Sequence, residues 1–87
     1  MTDTELQLLA LHKAPVVPLM TISKSYFNLS EDKALRAASL NTLPVPAFRL
    51  TNSQKAPWMV TIKDLAQHID NSRTLAQASW ENAQVSV

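Results

Sequence analysis

A proline-bounded stretch, residues 44–60, restricts the fold of this 87-residue chain more than any other segment. Pro44 and Pro46 lack a backbone N–H and push the residues before them toward extended conformations, so no helix passes through them. After them, residues 48–50 alternate apolar, polar and apolar, as a half-buried strand does. Residues 58–60 are apolar and suit the antiparallel partner, while the polar residues between the two runs are too many for a tight hairpin. The stretch therefore predicts a β-wing with an exposed, basic tip.

The residues that precede the wing predict two short helices, residues 19–27 and 30–40. The chain has no glycine, so asparagine or aspartate is expected at its left-handed backbone positions. Asn28 and Asn41 stand where the two helices should end, and Ser30 is placed to cap the second. Two helices joined by so few residues make a helix-turn-helix arrangement.

The second of these helices has one apolar and one charged face. Ala34, Leu35 and Ala38 are predicted to point inward, whereas Lys33 and Arg36 are predicted to share the solvent side. In a helix-turn-helix the second helix enters the major groove of DNA, where lysine and arginine read guanine or hold phosphate. The two cations are therefore candidate DNA contacts.

A further short helix is predicted at residues 2–12, with Leu6 and Leu9 on its inner side. A strand is the alternative there, because residues 8–11 are all apolar. Residues 16–17 lie between two prolines and are predicted to be extended.

After the wing, residues 62–69 predict a helix that Thr61 caps and that repeats apolar residues at helical spacing. A break is expected near Asn71. The chain then divides into a winged helix-turn-helix domain, residues 1–71, and a helical tail, residues 72–87, that is a candidate oligomer contact.

The distribution of charge along the chain indicates which class of partner the protein binds. Net charge is +1, but residues 20–63 carry +4 while residues 1–19 carry −1 and residues 64–87 carry −2. A basic centre between acidic ends suits a chain that binds a polyanion through its middle. No apolar run is long enough to cross a membrane, and no signal-peptide pattern precedes the first helix.

The residue types and their spacing give no support for a catalytic function. Cysteine is absent, which excludes disulfides, thiolate metal sites and cysteine nucleophiles and fits a reducing cytosol. His12 and His68 lie in different predicted elements and have no metal-ligand spacing, and the serines lack a nucleophile elbow. We therefore expect neither an enzyme nor a bound cofactor or metal.

Several segments carry a family resemblance. They are Val17-Pro18-Leu19, Tyr26-Phe27, Leu43-Pro44-Val45-Pro46-Ala47-Phe48-Arg49-Leu50, Ser53-Gln54-Lys55-Ala56-Pro57-Trp58 and Asp64-Leu65-Ala66. Together, over about residues 4–72, they resemble the pyocin activator protein family, whose members are small, phage-associated bacterial proteins. More distantly, the chain looks like phage excisionases and AlpA-type regulators. The family commonly has glycine near positions 28 and 41, where this chain has asparagine.

The resemblance implies a mainly α-helical fold with a small β-hairpin (α+β), a winged helix-turn-helix of the MerR and excisionase type. It implies a sequence-specific DNA-binding transcription regulator of phage or prophage origin that activates a phage-tail bacteriocin cluster. Two alternatives stay open, namely an excisionase-like protein that bends DNA and a phage anti-defence inhibitor on the same fold. The expected partners are double-stranded DNA, a homodimer or higher oligomer on DNA, and RNA polymerase or a recombinase. The expected location is the cytoplasm of the bacterial host, at the nucleoid.

The residues expected to touch DNA lie on both helices of the helix-turn-helix, on the wing and on the helix that follows it. Arg49 has an alternative role as a structural ion pair with Asp64 or Asp70, and Trp58 is expected to pack beneath the wing. The full candidate set is Lys24, Ser30, Lys33, Arg36, Arg49, Asn52, Ser53, Gln54, Lys55 and Lys63.

Overall fold

Helices dominate the structure, a computed structural model in which residues 1–85 are described. The elements in chain order are α1 (Asp3–His12), β1 (Val16–Pro18), α2 (Leu19–Phe27), α3 (Glu31–Leu40), β2 (Met59–Thr61) and α4 (Ile62–Val85). The predicted class, mainly α with a small β component (α+β), is confirmed, although the two strands come from distant segments and do not form the predicted β-hairpin. Within residues 1–85, no helix combines the length and the apolarity that a membrane crossing needs.

Asparagine residues end α2 and α3, as predicted. Asn28 and Asn41 have left-handed φ angles of 55° and 56°. At the end of α3, Thr42 N–H donates to Ala37 O at 2.9 Å and Asn41 N–H donates to Ala38 O at 3.3 Å. This pair of bonds is the Schellman closure, which satisfies carbonyls that the helix end would leave free.

The expectation that asparagine or aspartate occupies every left-handed position is wrong at the end of α1. Lys13 has a φ of 58°, and its N–H donates to Leu9 O at 2.7 Å. The chain must leave α1 there and reach β1 within a few residues, so a residue with a Cβ is held in this conformation despite its steric cost.

Replacing Asn41 by alanine is expected to lower the free energy of unfolding by about 1 kcal/mol, because alanine tolerates a left-handed φ less well than asparagine. Urea unfolding followed by circular dichroism measures the change. Asn52→Ala is the matched control, since Asn52 is not among the residues with positive φ. Equal stability of the two variants would contradict this account of the α3 terminus.

The small sheet joins two distant parts of the chain. β1 runs antiparallel to β2, with Val17 opposite Val60, and both of these residues are buried. The predicted wing strands pair only at one bridge, where Phe48 and Met59 exchange N–H···O bonds of 3.0 and 2.7 Å. The predicted antiparallel pairing of residues 48–50 with residues 58–60 is therefore confirmed at this bridge alone, and the regular partner of β2 is β1. Leu50 is 68 % exposed, so extending the wing pairing would bury little apolar surface, whereas pairing with β1 buries two valines.

The core lies where the sheet, α2, α3 and the first half of α4 meet. Its fully buried large side chains are Leu19, Ile22, Val60, Ile62 and Leu65. Because α3 approaches α2 through its alanines, α3 contributes small side chains to this core, and its leucine at position 35 is 39 % exposed. The prediction that Leu35 points inward is therefore wrong.

The orientation of α1 differs in part from the prediction. Leu9 packs against the core as predicted, but Leu6 is half exposed, and Leu8 is the buried residue of this helix. Thr4 Oγ1 donates to Asp70 Oδ1 of α4 at 2.6 Å, and His12 Nε2 lies 3.4 Å from the Tyr26 hydroxyl. These two polar contacts place positions 4, 8 and 12 on the inner side, since residues four apart share a helix face.

Thr61 caps α4 as predicted. Asp64 N–H donates to Thr61 Oγ1 at 3.1 Å, which is the N-cap bond of a capping box, and Thr61 Oγ1 donates to Asp64 Oδ2 at 2.8 Å, which orients the hydroxyl. The predicted break near Asn71 is wrong, because α4 is one helix of 24 residues from Ile62 to Val85. Neither glycine nor proline interrupts this segment, and Thr74 Oγ1 bonds to Asp70 O at 2.9 Å across the expected break.

Candidate nucleic-acid interface

A three-residue turn, residues 28–30, joins α2 to α3. Backbone hydrogen bonds close this turn and fix the position of α3 relative to α2. Asn28 N–H donates to Lys24 O at 3.2 Å, and Leu29 N–H donates to Ser23 O at 3.1 Å. Leu29 packs against the core. The turn therefore fixes the start of α3 through backbone bonds and one apolar anchor.

The inner face of α3 consists of small residues that allow close contact with α2. Ala34 is fully buried and Ala38 is 1 % exposed. Ser30 Oγ caps the helix by accepting from Lys33 N–H at 3.4 Å. The N-terminal cap, the Schellman closure and the two buried alanine methyl groups thus hold α3 in place. The opposite side of the helix lies in solvent and can contact a ligand.

The outer face of α3 carries the predicted cations in solvent. Lys33 and Arg36 are both exposed, one turn apart, and Ser39 continues the same side. Leu35 precedes Arg36 in the chain and is 39 % exposed, and no sequence signal identified it as a surface residue because leucine normally marks a core position. Glu31 and Asp32 occupy the first turn, where the helix dipole favours acids.

Arg49 is held against Trp58. Its guanidinium carbon lies 4.4 Å from the centre of the Trp58 ring, a cation–π distance. Phe48 lies opposite Met59, so the antiparallel register also sets Arg49 opposite Trp58. Only this register reveals the pair, and sequence reasoning missed it.

The alternative role of Arg49 as an ion pair with Asp64 or Asp70 is wrong. Asp64 accepts from Thr61 and Asp70 accepts from Thr4. Arg49 Nε is buried without a hydrogen-bond partner anywhere in residues 1–85. The side chain is therefore positioned by stacking rather than by a carboxylate. Trp58 is half buried and packs against the core, as expected.

The wing tip is a folded turn with exposed side chains. Ala56 N–H donates to Ser53 O at 3.1 Å and Lys55 N–H donates to Ser53 Oγ at 3.1 Å, so Ser53 organises the turn. Asn52, Gln54 and Lys55 are all exposed. The tip presents two amides and one ammonium group, all of which donate hydrogen bonds.

The last two candidates lie on other elements. Lys24 is exposed in the last turn of α2. Lys63 is exposed in the first turn of α4 and lines a shallow groove with Thr2 and Glu5 of α1. Lys63 therefore lies beside α1, whereas Lys24, Ser30, Lys33 and Arg36 are carried by the α2–α3 pair.

Comparison with known proteins places these elements in a family. The family model described as "Pyocin activator protein PrtN" matches residues 4–76, which include all the candidate contacts. Neither the curated proteins nor the solved structures contain a match to the chain.

Proposed function

Because the chain belongs to the pyocin activator protein family, a regulatory family of phage-related transcription activators, we propose that it binds double-stranded DNA sequence-specifically. The observation that carries this proposal is the exposed face of α3, where Lys33 and Arg36 stand in solvent above two buried alanines. On this proposal the α2–α3 pair is the helix-turn-helix and residues 48–59 are its wing. The regulator acts in the bacterial cytoplasm, at the nucleoid.

The N-terminal half of α3 is the part that enters the major groove. Arg36 donates two hydrogen bonds to a guanine edge, and Lys33 reads a second acceptor or a phosphate. The acids at positions 31 and 32 oppose phosphate, so they turn toward base edges, where a cytosine amine donates. Ser30 and the first backbone N–H groups face the flanking strand.

Arg49 and the wing tip hold the DNA backbone. Stacking on Trp58 restricts the guanidinium before DNA arrives, so binding phosphate costs less side-chain entropy. The wing-tip residues at positions 52–55 donate to phosphates or enter a minor groove, and these contacts set position rather than sequence preference. Lys24 adds a phosphate contact from α2, and Lys63 adds one from α4.

Affinity for DNA is expected to fall about 100-fold between roughly 50 and 200 mM salt, if about four phosphates are neutralised. Fluorescence anisotropy with duplexes from the promoter region of the source phage or prophage measures this slope. Absence of binding at low salt would overturn the DNA role and would favour the protein-inhibitor alternative.

Arg36→Ala is expected to weaken specific binding by about 10-fold or more while changing non-specific binding by less than about 3-fold. Lys55→Ala is the matched control, and it should weaken both kinds of binding alike because it contacts phosphate only. An equal loss of specific and non-specific affinity in Arg36→Ala would remove Arg36 from base reading.

A genome-wide selection of bound fragments distinguishes activation from excision. Fragments beside promoters support the proposed activator, whose further partner is RNA polymerase. Fragments beside an attachment site support an excisionase-like protein that bends DNA for a recombinase.

A further inference from the structure

The apolar stripe that anchors α4 in the core continues beyond it into solvent, with Arg73 as its one charged member. Steps of four and three residues alternate along this stripe, which is the spacing of a coiled-coil seam. We call it the α4 seam, and its members are Ile62, Ala66, Ile69, Arg73, Ala76, Trp80 and Ala83. The first three pack in or against the core, whereas every residue from 71 to 84 is exposed. Trp80 is 61 % exposed.

The exposed half of the seam has one large residue, two small residues and one cation. A parallel pair of copies would set Trp80 against Trp80 and Arg73 against Arg73, which crowds two indoles and opposes like charges. An antiparallel pair centred near Ala78 sets Trp80 against Ala76 of the second copy and Arg73 against Ala83 of the second copy. In every layer of this pair, a large side chain then packs against an alanine, which allows the two helices to approach closely.

Charge favours the same orientation. Within residues 71–84, the charged side chains are Arg73 and Glu81, which lie toward opposite ends of the segment. Antiparallel pairing brings the arginine end of each helix beside the glutamate end and the negative C-terminal dipole of the other. The structure has a shallow depression lined by Arg73, Ala76, Gln77 and Trp80, and the antiparallel arrangement would set the indole of the second copy against it.

We propose that residues 73–83 of α4 are a self-association surface that pairs with the same segment of a second copy in antiparallel orientation. This surface does not depend on DNA, so its test stands apart from that of the proposed function. The contact spans only about three helical turns, so we expect a dissociation constant on the order of micromolar.

Sedimentation velocity of the full chain, from roughly 5 to 200 µM, tests the surface. We expect a monomer–dimer equilibrium for the unchanged chain and a dissociation constant raised by at least about 10-fold in Trp80→Ala. Leu75→Ala is the matched control, because Leu75 is 73 % exposed on the same helix but lies off the seam. Both side chains are exposed, so circular dichroism should show the native helix content in both variants. A monomeric unchanged chain, or equal effects of the two substitutions, would overturn the proposal.

Two serines on one side of α4 test the orientation. Ser72 and Ser79 are seven residues apart and exposed, and the chain has no cysteine of its own. In the antiparallel pair, the two copies of residue 79 lie close together, whereas the two copies of residue 72 lie about 18 Å apart along the axis. Ser79→Cys should therefore crosslink on mild oxidation much faster than Ser72→Cys. Equal crosslinking of both variants would indicate a parallel pair and would contradict the proposed orientation.

Discussion

Leu65→Ala is expected to lower the free energy of unfolding by about 3 kcal/mol. Leu65 is fully buried in the half of α4 that faces the core. Removing its side chain loses apolar burial and leaves a cavity among rigidly placed neighbours. A domain of this size has a total stability of only about 5–10 kcal/mol, so the variant loses a large share of it.

Urea unfolding measures this loss, followed by circular dichroism and by tryptophan fluorescence, in which the change on unfolding comes mainly from the half-buried Trp58 because Trp80 is already exposed. Leu75→Ala is the control, since it removes the same atoms from an exposed position on the same helix. It should change stability by no more than about 0.5 kcal/mol. Similar losses in the two variants would mean that residues 71–84 contribute to the fold as strongly as the core half of α4.

Ala34→Leu is expected to cost about 2 kcal/mol of unfolding free energy and to abolish specific DNA binding together with that loss. Ala34 is fully buried in α3, which packs against α2, so a larger side chain forces the two helices apart. The outer face of α3 then no longer stands in a fixed position relative to the wing. Under the proposed function, α3 can then no longer contact the bases while the wing contacts the DNA backbone.

Two further variants separate the effect of Ala34→Leu on stability from its effect on DNA binding. Ser39→Leu introduces the same side chain on the exposed side of α3 and should change stability little. Arg36→Ala should lose specific binding at unchanged stability. Wild-type stability in Ala34→Leu would show that α2 and α3 are not in the close contact that the buried alanines indicate.

Several parts of the fold were predictable because they depend on residues a few positions apart. The left-handed ends of α2 and α3 follow from asparagine in a chain without glycine. The cap of α4 follows from Thr61 three residues before Asp64. The solvent side of α3 follows from helical spacing, which places Lys33 and Arg36 opposite the buried alanines.

The candidate interface was predictable to a similar extent. Its exposed cations and its polar wing tip can be read from the order of helix, turn, helix and prolines. The stacking of Arg49 on Trp58 was not predictable from the sequence. It depends on the register of the antiparallel bridge between Phe48 and Met59, which local patterns do not give. Carboxylates that were plausible partners for Arg49 are bonded to threonines instead.

The sequence by itself determined where α2 and α3 end, where α4 begins and that Lys33 and Arg36 face solvent, since caps and helical periodicity act over a few residues. The continuation of α4 past Asn71 is a local outcome as well, because its residues 71–84 lie in solvent and contain neither glycine nor proline. Only the tertiary structure decided that β2 pairs with β1 and that Thr4 of α1 bonds to Asp70 of α4. These outcomes depend on which distant surfaces bury most apolar area and satisfy most polar groups, and local patterns do not carry that information.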